Sequence, residues 1–233
     1  MRIDWKSFTK HRTKDDKKAF PIGSAVFVGF QGQGKTLSMV DYAFRVRKDF
    51  PDCLIFSNIK LFGVDYSYIY SDEDVKEALS VQNGAQGVLV LLDEAHLYFG
   101  KKTGIGLEVL TAISQQRKDR RRIVFSSQIW EELDISLRKQ VKDIYRCKKL
   151  ANIILLNHMD GESLHYDKMK GEYVANHIGY EVYKLNDEYY SRYSTYQKIV
   201  TNDELIAPLA QRTPATPASA ELINFNPRKG LFK

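Results

Sequence analysis

One segment of eight residues, from position 29 to position 36, limits the possible folds of this 233-residue chain more than any other feature. It reads Gly-Phe-Gln-Gly-Gln-Gly-Lys-Thr and satisfies the pattern G-x-x-x-x-G-K-[ST] in full. The short apolar run 24–28 precedes it, and apolar residues recur over 35–48 at the three- and four-residue spacing of a helix. The pattern therefore predicts a strand, a glycine-rich turn and a helix in succession.

A turn of this kind, here called the phosphate loop, can bind the phosphates of ATP. Backbone N–H groups over 32–37 can form an anion nest at the start of the helix, where Gly32 and Gly34 permit positive φ and close approach. Lys35 would reach the β- and γ-phosphates, and the Thr36 hydroxyl would bind Mg²⁺. The predicted nucleotide-binding residues are Gly29, Gln31, Gly32, Gln33, Gly34, Lys35, Thr36 and Leu37.

A pair of carboxylates supplies the second half of the predicted site. Five apolar residues, Val88–Leu92, lead directly into Asp93 and Glu94. A buried strand that ends this way places Asp93 at the carboxyl edge of the sheet, where it can hold the Mg²⁺ shell through water. Glu94 is placed to polarise the attacking water as general base. An isolated acidic pair can instead mark a helix N-terminus, but the complete phosphate loop favours catalysis.

Buried strands alternate with helices from about residue 22 to 146, which predicts an α/β fold with a central, mostly parallel sheet flanked by helices. After residue 141 the chain shows short strands and no convincing helix, and Asp160-Gly161 and Lys170-Gly171 are typical of hairpin turns. These strands predict an antiparallel extension. The predicted strands after the first are 53–57, 87–92, 122–126, 141–147, 153–156, 173–174 and 180–183, and the later helices are 72–79, capped by Ser71, and 107–116.

The predicted organisation is one ATP-binding domain between two polar segments. The domain covers 21–205, with a core at about 22–146 and the extension at about 147–200. Residues 1–20 are polar and indicate a solvated arm or short helix, and 206–233 form a tail that contains prolines. The longest apolar run, Val88–Leu92, is far shorter than the roughly 18 residues of a membrane span. The net charge of +6 permits a polyanionic partner without requiring one.

A basic run upstream of a later strand suggests the family. Arg117, Lys118 and residues 120–122 precede a strand that ends in Ser126-Ser127-Gln128. Here the chain resembles the Zot-like branch of the FtsK/HerA P-loop ATPases, whose sequences combine a phosphate loop, a strand ending in Asp-Glu, an Arg, and a polar sensor at the end of the next strand. Arg117 and Gln128 fall on the last two positions, and the resemblance covers roughly residues 22–146. Ser127 departs from the usual Thr.

The resemblance implies a RecA/FtsK-like fold and a homo-oligomeric ring, commonly a hexamer, with nucleotide at each subunit junction. It implies that Arg117 acts as a finger on the neighbour's nucleotide, with Arg120, Arg121, Arg122 and Arg138 as substitutes, while Gln128 senses hydrolysis. The alternative for the basic run is a solvated face, and the alternative for Gln128 is a polar strand terminus without a catalytic role. Members that assemble filamentous phages carry a membrane span after the ATPase domain. Because no apolar run in this sequence is long enough for one, the prediction favours genome-packaging ATPases of icosahedral, internal-membrane phages. The expected setting is host cytoplasm and virion, with DNA and a capsid vertex or portal protein as partners.

A loop after the acidic pair is the predicted contact with DNA. Residues 99–106 combine glycines with Lys101 and Lys102, a composition suited to gripping a phosphate backbone. A surface loop without this function explains the composition equally well. Two functions compete with a DNA-translocating ATPase: export or assembly of phage particles by a Zot-like ATPase, and phosphoryl transfer by a small-molecule kinase. A scaffold that uses ATP only to set its assembly state is a third, non-enzymatic alternative.

Overall fold

The computed structural model describes residues 2–4, 19–99, 106–116, 119–169 and 171–194. The strands are β1 (Arg2–Asp4), β2 (Gly23–Val28), β3 (Leu54–Ser57), β4 (Ser67–Tyr68), β5 (Val88–Leu92), β6 (Arg121–Ser127), β7 (Val141–Leu150), β8 (Ile153–Asp160), β9 (His165–Asp167), β10 (Glu172–Val174) and β11 (His177–Lys184). The helices are α1 (Lys35–Asp49), α2 (Asp72–Ser80), α3 (His96–Phe99), α4 (Leu107–Ser114), α5 (Ile135–Arg138) and α6 (Asp187–Ser191).

Nine strands form one sheet in the order β1-β11-β8-β7-β2-β6-β5-β3-β4. The strands from β7 to β4 are parallel, and β8, β11 and β1 continue the sheet with antiparallel pairing. The predicted α/β fold, with a mostly parallel sheet and an antiparallel extension, is thereby confirmed. β6 lies between β2 and β5, so the strand before the phosphate loop and the strand before the acidic pair are not neighbours.

Alternating side chains of the strands feed two cores, one on each side of the sheet. Ala25 and Phe27 of β2 pack in the core that contains residues of α1, while Val26 packs in the opposite core with residues of α2 and α4. α2 begins at Ser71, the predicted cap, which forms a capping box. The Ser71 hydroxyl accepts from the N–H of Asp74, and the Asp74 carboxylate accepts from the N–H of Ser71. Both faces of the parallel sheet are therefore covered.

Two predictions about the extension need correction. β7, grouped with the antiparallel strands, pairs antiparallel with β8 but parallel with β2, because residues 128–140 provide the crossover connection that a parallel strand needs. Asp160-Gly161, predicted as a hairpin turn, joins no hairpin, because β8 pairs with β7 and β11, and the β7–β8 turn falls at Ala151, which adopts φ of 50°. Asp160 instead caps a short 3₁₀ helix, Gly161–Ser163. β9 and β10 pair antiparallel on either side of the second predicted turn, whose Lys170 lies outside the described residues.

The N-terminus differs from the expected solvated arm or short helix. Residues 2–4 form β1, which pairs antiparallel with β11 at the edge of the sheet. The edge of β11 offers unpaired backbone groups to any extended segment, a property that a polar composition does not reveal. The predicted domain boundaries stay predictions, because large parts of 1–20 and 195–233 lie outside the described residues.

Candidate nucleotide site

The phosphate loop connects β2 to α1 at the carboxyl edge of the sheet. Gly29, Gly32 and Gly34 adopt φ of 152°, 78° and 81°, which confirms the expected positive φ at Gly32 and Gly34. A Cβ atom on Gly29 would lie 2.8 Å from the carbonyl oxygen of Cys147, and one on Gly34 would lie 2.5 Å from Cδ1 of Ile154. The loop packs closely against β7 and β8: a side chain at Gly29 would overlap the backbone of β7, and one at Gly34 would have to displace the Ile154 side chain and adopt a positive φ.

Hydrogen bonds fix the shape of the loop. The Nζ atom of Lys35 donates to the carbonyl of Phe30 at 3.3 Å, and the N–H of Gln33 donates to the same carbonyl at 3.3 Å. The Oε1 atom of Gln33 accepts from the backbone N–H of Lys149 in β7 at 2.8 Å. Gly34 is the N-cap of α1 and no side chain caps this helix, so the first N–H groups of α1 can donate to an anion.

The Asp93 carboxylate joins the phosphate loop to the sheet. It accepts a 2.8 Å hydrogen bond from the Thr36 hydroxyl through Oδ2 and a second bond from the Ser126 hydroxyl through Oδ1. Burial raises the pKa of Asp93, while the bonds from Ser126 and Thr36 act to lower it. Hydroxyl and carboxylate oxygens are the ligands that Mg²⁺ prefers, so the Thr36–Asp93 pair fits this ion.

A residue from the neighbouring strand holds the acidic pair in position. Asn58, which follows β3, accepts from the N–H of Asp93 at 2.8 Å and donates to the carbonyl of Asp93 at 3.0 Å. This pair of bonds fixes the backbone where β5 ends. The direction of the Asp93 side chain toward Thr36 follows from it.

Glu94 occupies a backbone conformation that is rare for a side chain of its size. Its φ is 51°, and its N–H donates to the Ser126 hydroxyl at 2.9 Å. Gln128 donates through Nε2 to Oε1 of Glu94 at 3.0 Å, and the Nδ1 atom of His96 lies 3.3 Å from Oε2. The structure thus brings Gln128 to the predicted general base, and adds His96.

The chain matches the family described as Zonular occludens toxin (Zot) over residues 25–198. This chain belongs to the Zot family. The N-terminal domain of zonular occludens toxin from Neisseria meningitidis has a similar solved structure, with 20% identity, a TM-score of 0.54, and coverage of 74% of this chain and 98% of that chain. The two proteins share the fold. No curated protein matches the sequence.

Genome packaging NTPase B204 from Sulfolobus turreted icosahedral virus 2, in complex with ATP-gammaS, is a second similar structure, with 15% identity, a TM-score of 0.45, and coverage of 66% of this chain and 96% of that chain. This Zot-family chain has the α/β fold of the P-loop NTPases. Among its described helices, none combines the length and apolar character needed to cross a bilayer.

Several predicted site residues of this Zot-family protein are not in the described part of the chain. Arg117, the predicted finger, and Lys101 and Lys102, the predicted DNA contacts, lie outside the described residues. The side chain of Gln31 is exposed and that of Leu37 is buried, so only the backbone of Leu37 can face a nucleotide.

Two residues of the basic run, Arg121 and Arg122, do not belong to a solvated face, which was the alternative to a finger. Arg121 and Arg122 are 1% and 3% exposed and begin β6, at the edge of the sheet opposite the phosphate loop. Arg122 forms a 2.7 Å ion pair with Asp143 and donates through Nε to the Tyr42 hydroxyl. Arg121 pairs with Asp119. Because these guanidinium groups are buried and partnered, Arg121 and Arg122 are excluded as fingers.

The two remaining substitutes for the finger differ in their surroundings. Arg138 donates to the Tyr173 hydroxyl at 3.2 Å, and its guanidinium lies 5.7 Å from the centre of the Tyr173 ring. Arg120 is exposed, with φ of 46°, in the turn before β6. Arg120 is therefore accessible at the surface, whereas Arg121 and Arg122 are not.

Proposed function

We propose that this Zot-family protein hydrolyses ATP and uses the energy to translocate DNA as a ring-shaped oligomer. The observation that carries the hydrolytic part is the convergence of Thr36, Asp93 and Glu94 at one edge of the sheet. Hydrogen bonds join Thr36 to Asp93, and Glu94 to residues at the end of β6. A kinase would need an acceptor site in addition, and no observation on the described residues favours one.

Each residue has a distinct task in this proposal. The backbone N–H groups of the phosphate loop and the ammonium of Lys35 bind the phosphates and stabilise charge that develops during transfer. Thr36 and Asp93 hold Mg²⁺, which supplies Lewis-acid polarisation of the phosphates when bound. Glu94 accepts the proton of the attacking water, and Gln128 orients the Glu94 carboxylate through the bond to Oε1.

The ring, the DNA and the packaging role are the finer part of the proposal. They are supported by the order of motifs, which resembles that of the FtsK/HerA ATPases. In this chain Arg117 precedes β6 and Gln128 follows it. A site at a subunit junction would let a neighbour's guanidinium stabilise the transferred phosphoryl group, and so couple hydrolysis to subunit position. We propose host cytoplasm and virion as the setting, and a capsid vertex or portal protein as the docking partner.

Product analysis tests the hydrolytic part. The purified protein is incubated with ATP and Mg²⁺, and inorganic phosphate and phosphorylated nucleosides are quantified with and without DNA. Release of inorganic phosphate, accelerated by DNA and reduced about 100-fold or more in Lys35→Ala, supports the proposal. Lys48→Ala, at the exposed end of α1, is the matched control. Transfer of phosphate to a nucleoside would contradict the proposal.

Electron microscopy tests the ring. The protein is imaged with a non-hydrolysable ATP analogue, with and without duplex DNA. Closed rings that surround DNA are expected. Monomers under all conditions would overturn the ring and leave the hydrolytic part standing.

A further inference from the structure

Three strands of the extended sheet present an exposed surface on the side opposite α1. Cys147 of β7, Leu156 of β8 and Tyr183 of β11 are buried in the core that α1 covers. The residues that alternate with them point to the other side, and four of these are exposed. We name this surface the basic sheet face and define it by Arg146, Lys148, Tyr180 and Lys184.

The positive charge of this face is not neutralised. The acidic side chains of the same strands lie on the opposite side, where Asp143 pairs with Arg122 and Glu181 pairs with Arg45. Within the described ranges, the side chains of the three basic residues of the face form no ion pair or hydrogen bond. Among the described residues, a polyanion would therefore meet three cations that no carboxylate pairs with.

The arrangement of the groups fits a sugar-phosphate backbone. Arg146 and Lys148 alternate on one strand and are about 7 Å apart, and Lys184 lies two strands away, about 10 Å across the sheet. Tyr180 is 44% exposed, and its ring lies 4.3 Å from the ring of His177. Cations spaced over such distances neutralise successive phosphates, and an exposed aromatic ring beside them can stack on a base.

We infer that the basic sheet face binds nucleic acid through its phosphates. The inference rests on the proposed function and gives its DNA a contact surface made of described residues of the sheet. Arg146 pairs through its backbone position with Val28, the last residue before the phosphate loop. A nucleic acid bound at Arg146 would therefore lie close to the phosphate loop, so its binding can influence the nucleotide through the β2–β7 pairing.

A second copy of the chain is the competing occupant. Leu150 and Ile153, beside the β7–β8 turn, are 55% and 41% exposed on the same side of the sheet. Lysine is depleted from protein interfaces, and two of the three cations of this face are lysines. Charge complementarity therefore favours nucleic acid.

The test compares one triple variant with a matched control. The variant is Arg146→Gln, Lys148→Gln and Lys184→Gln, and the control is Lys48→Gln, Lys60→Gln and Lys76→Gln, three exposed lysines elsewhere on the surface. Fluorescence anisotropy measures binding of a labelled duplex and a labelled oligothymidylate, each about 30 nucleotides long, at about 50 and about 200 mM salt. ATP binding checks folding, and mass photometry reports the oligomeric state.

We expect the triple variant to bind nucleic acid more weakly than the wild type, with a smaller dependence on salt. Loss of three phosphate contacts lowers the slope of log K against log salt by about 2.7 for the duplex, so the affinity ratio of wild type to variant should be about 40-fold larger at the lower salt. The control should bind as the wild type does. Binding by the triple variant that equals that of the wild type overturns the inference but not the proposed function. Loss of oligomers in the triple variant does the same, because it would assign the face to contact between copies of the chain. A wild type that binds no nucleic acid overturns both.

Discussion

The hydroxyl of Thr36 donates a 2.8 Å hydrogen bond to the Asp93 carboxylate, although β6 separates the strands that lead to the two residues. The contact is possible because Thr36 lies in the first turn of α1, which extends beyond the carboxyl edge of the sheet. Ser126, at the end of the intervening strand, binds the same carboxylate. Three segments of the chain thus share one acidic group.

Substitution of the predicted general base should separate ATP binding from hydrolysis. Glu94→Gln keeps the size of the side chain and its bond partners but cannot accept a proton, so hydrolysis should fall about 10²- to 10⁴-fold while ATP still binds. Phosphate release and binding of a fluorescent ATP analogue measure the two effects. A Glu94→Gln protein with robust turnover would remove the base assignment.

Ser126 and Ser127 provide an internal comparison on one strand. Ser126→Ala removes the donor to Asp93 and the acceptor for the N–H of Glu94, so hydrolysis should fall about 10- to 100-fold. The Ser127 hydroxyl instead donates to the carbonyl of Ile129, and Ser127→Ala should change hydrolysis much less. The ratio of the two rates in phosphate-release assays checks the assignment. Equal losses would mean that Ser126 has no special role at the site.

The buried Arg122–Asp143 pair should make the protein sensitive to acid. Burial alone would raise the pKa of Asp143, but the hydrogen bond to His158 and the charge of Arg122 together hold it well below its usual range. Its contribution to stability is therefore present above the ordinary carboxyl pKa of about 4, and is lost as pH falls through that value and below.

Asp143→Asn should accordingly lower the free energy of unfolding at neutral pH by about 3–5 kcal/mol and flatten its dependence on pH in the acid range. Urea unfolding between pH 3 and 7 measures both effects. Asp65→Asn, at an exposed position, is the control. An unchanged acid dependence in Asp143→Asn would assign the sensitivity to other carboxylates.

Mixed rings should show whether Arg117 acts on a neighbouring subunit. Neither Arg117→Ala nor Glu94→Gln should hydrolyse ATP alone, but in an equal mixture about a quarter of the junctions combine an intact Glu94 with an intact Arg117. Recovery of phosphate release on mixing is the expected outcome. The same mixture with Arg120→Ala in place of Arg117→Ala tests the exposed substitute, and absence of recovery with Arg117→Ala would remove the trans role from Arg117.

The fold and the central residues of the site were predictable because their signals are local. The phosphate loop and the acidic pair are contiguous in the sequence, and each follows an apolar strand, so hydrophobic pattern and motif indicate the same edge of the sheet. Gln128 was predicted at the carboxyl edge of the sheet, and its side chain lies there, hydrogen-bonded to Glu94. Ser126 could have been predicted with it, because side chains two apart on a strand point the same way whereas Ser127 points to the opposite side.

Other features depend on contacts between distant parts of the chain. Asn58 precedes Asp93 by 35 residues, and only the pairing of β3 with β5 brings them together. Arg122 reads as part of a solvated basic run because its partner Asp143 is on another strand. The predicted strands 141–147 and 153–156 left room for the β7–β8 turn, but its turn residue was not identified, because Ala151 carries a positive φ that glycine or asparagine usually signals.

The close packing of the phosphate loop against β7 and β8 has an energetic consequence for ligand binding. Steric exclusion at Gly29 and Gly34 and the bond from Lys149 to Gln33 leave the loop little freedom before a ligand arrives. A flexible loop would lose conformational entropy on ordering around phosphates, at about 1–2 kcal/mol per residue. Here folding of the sheet has already met that cost, so the affinity for nucleotide should depend directly on how well β7 and β8 are formed.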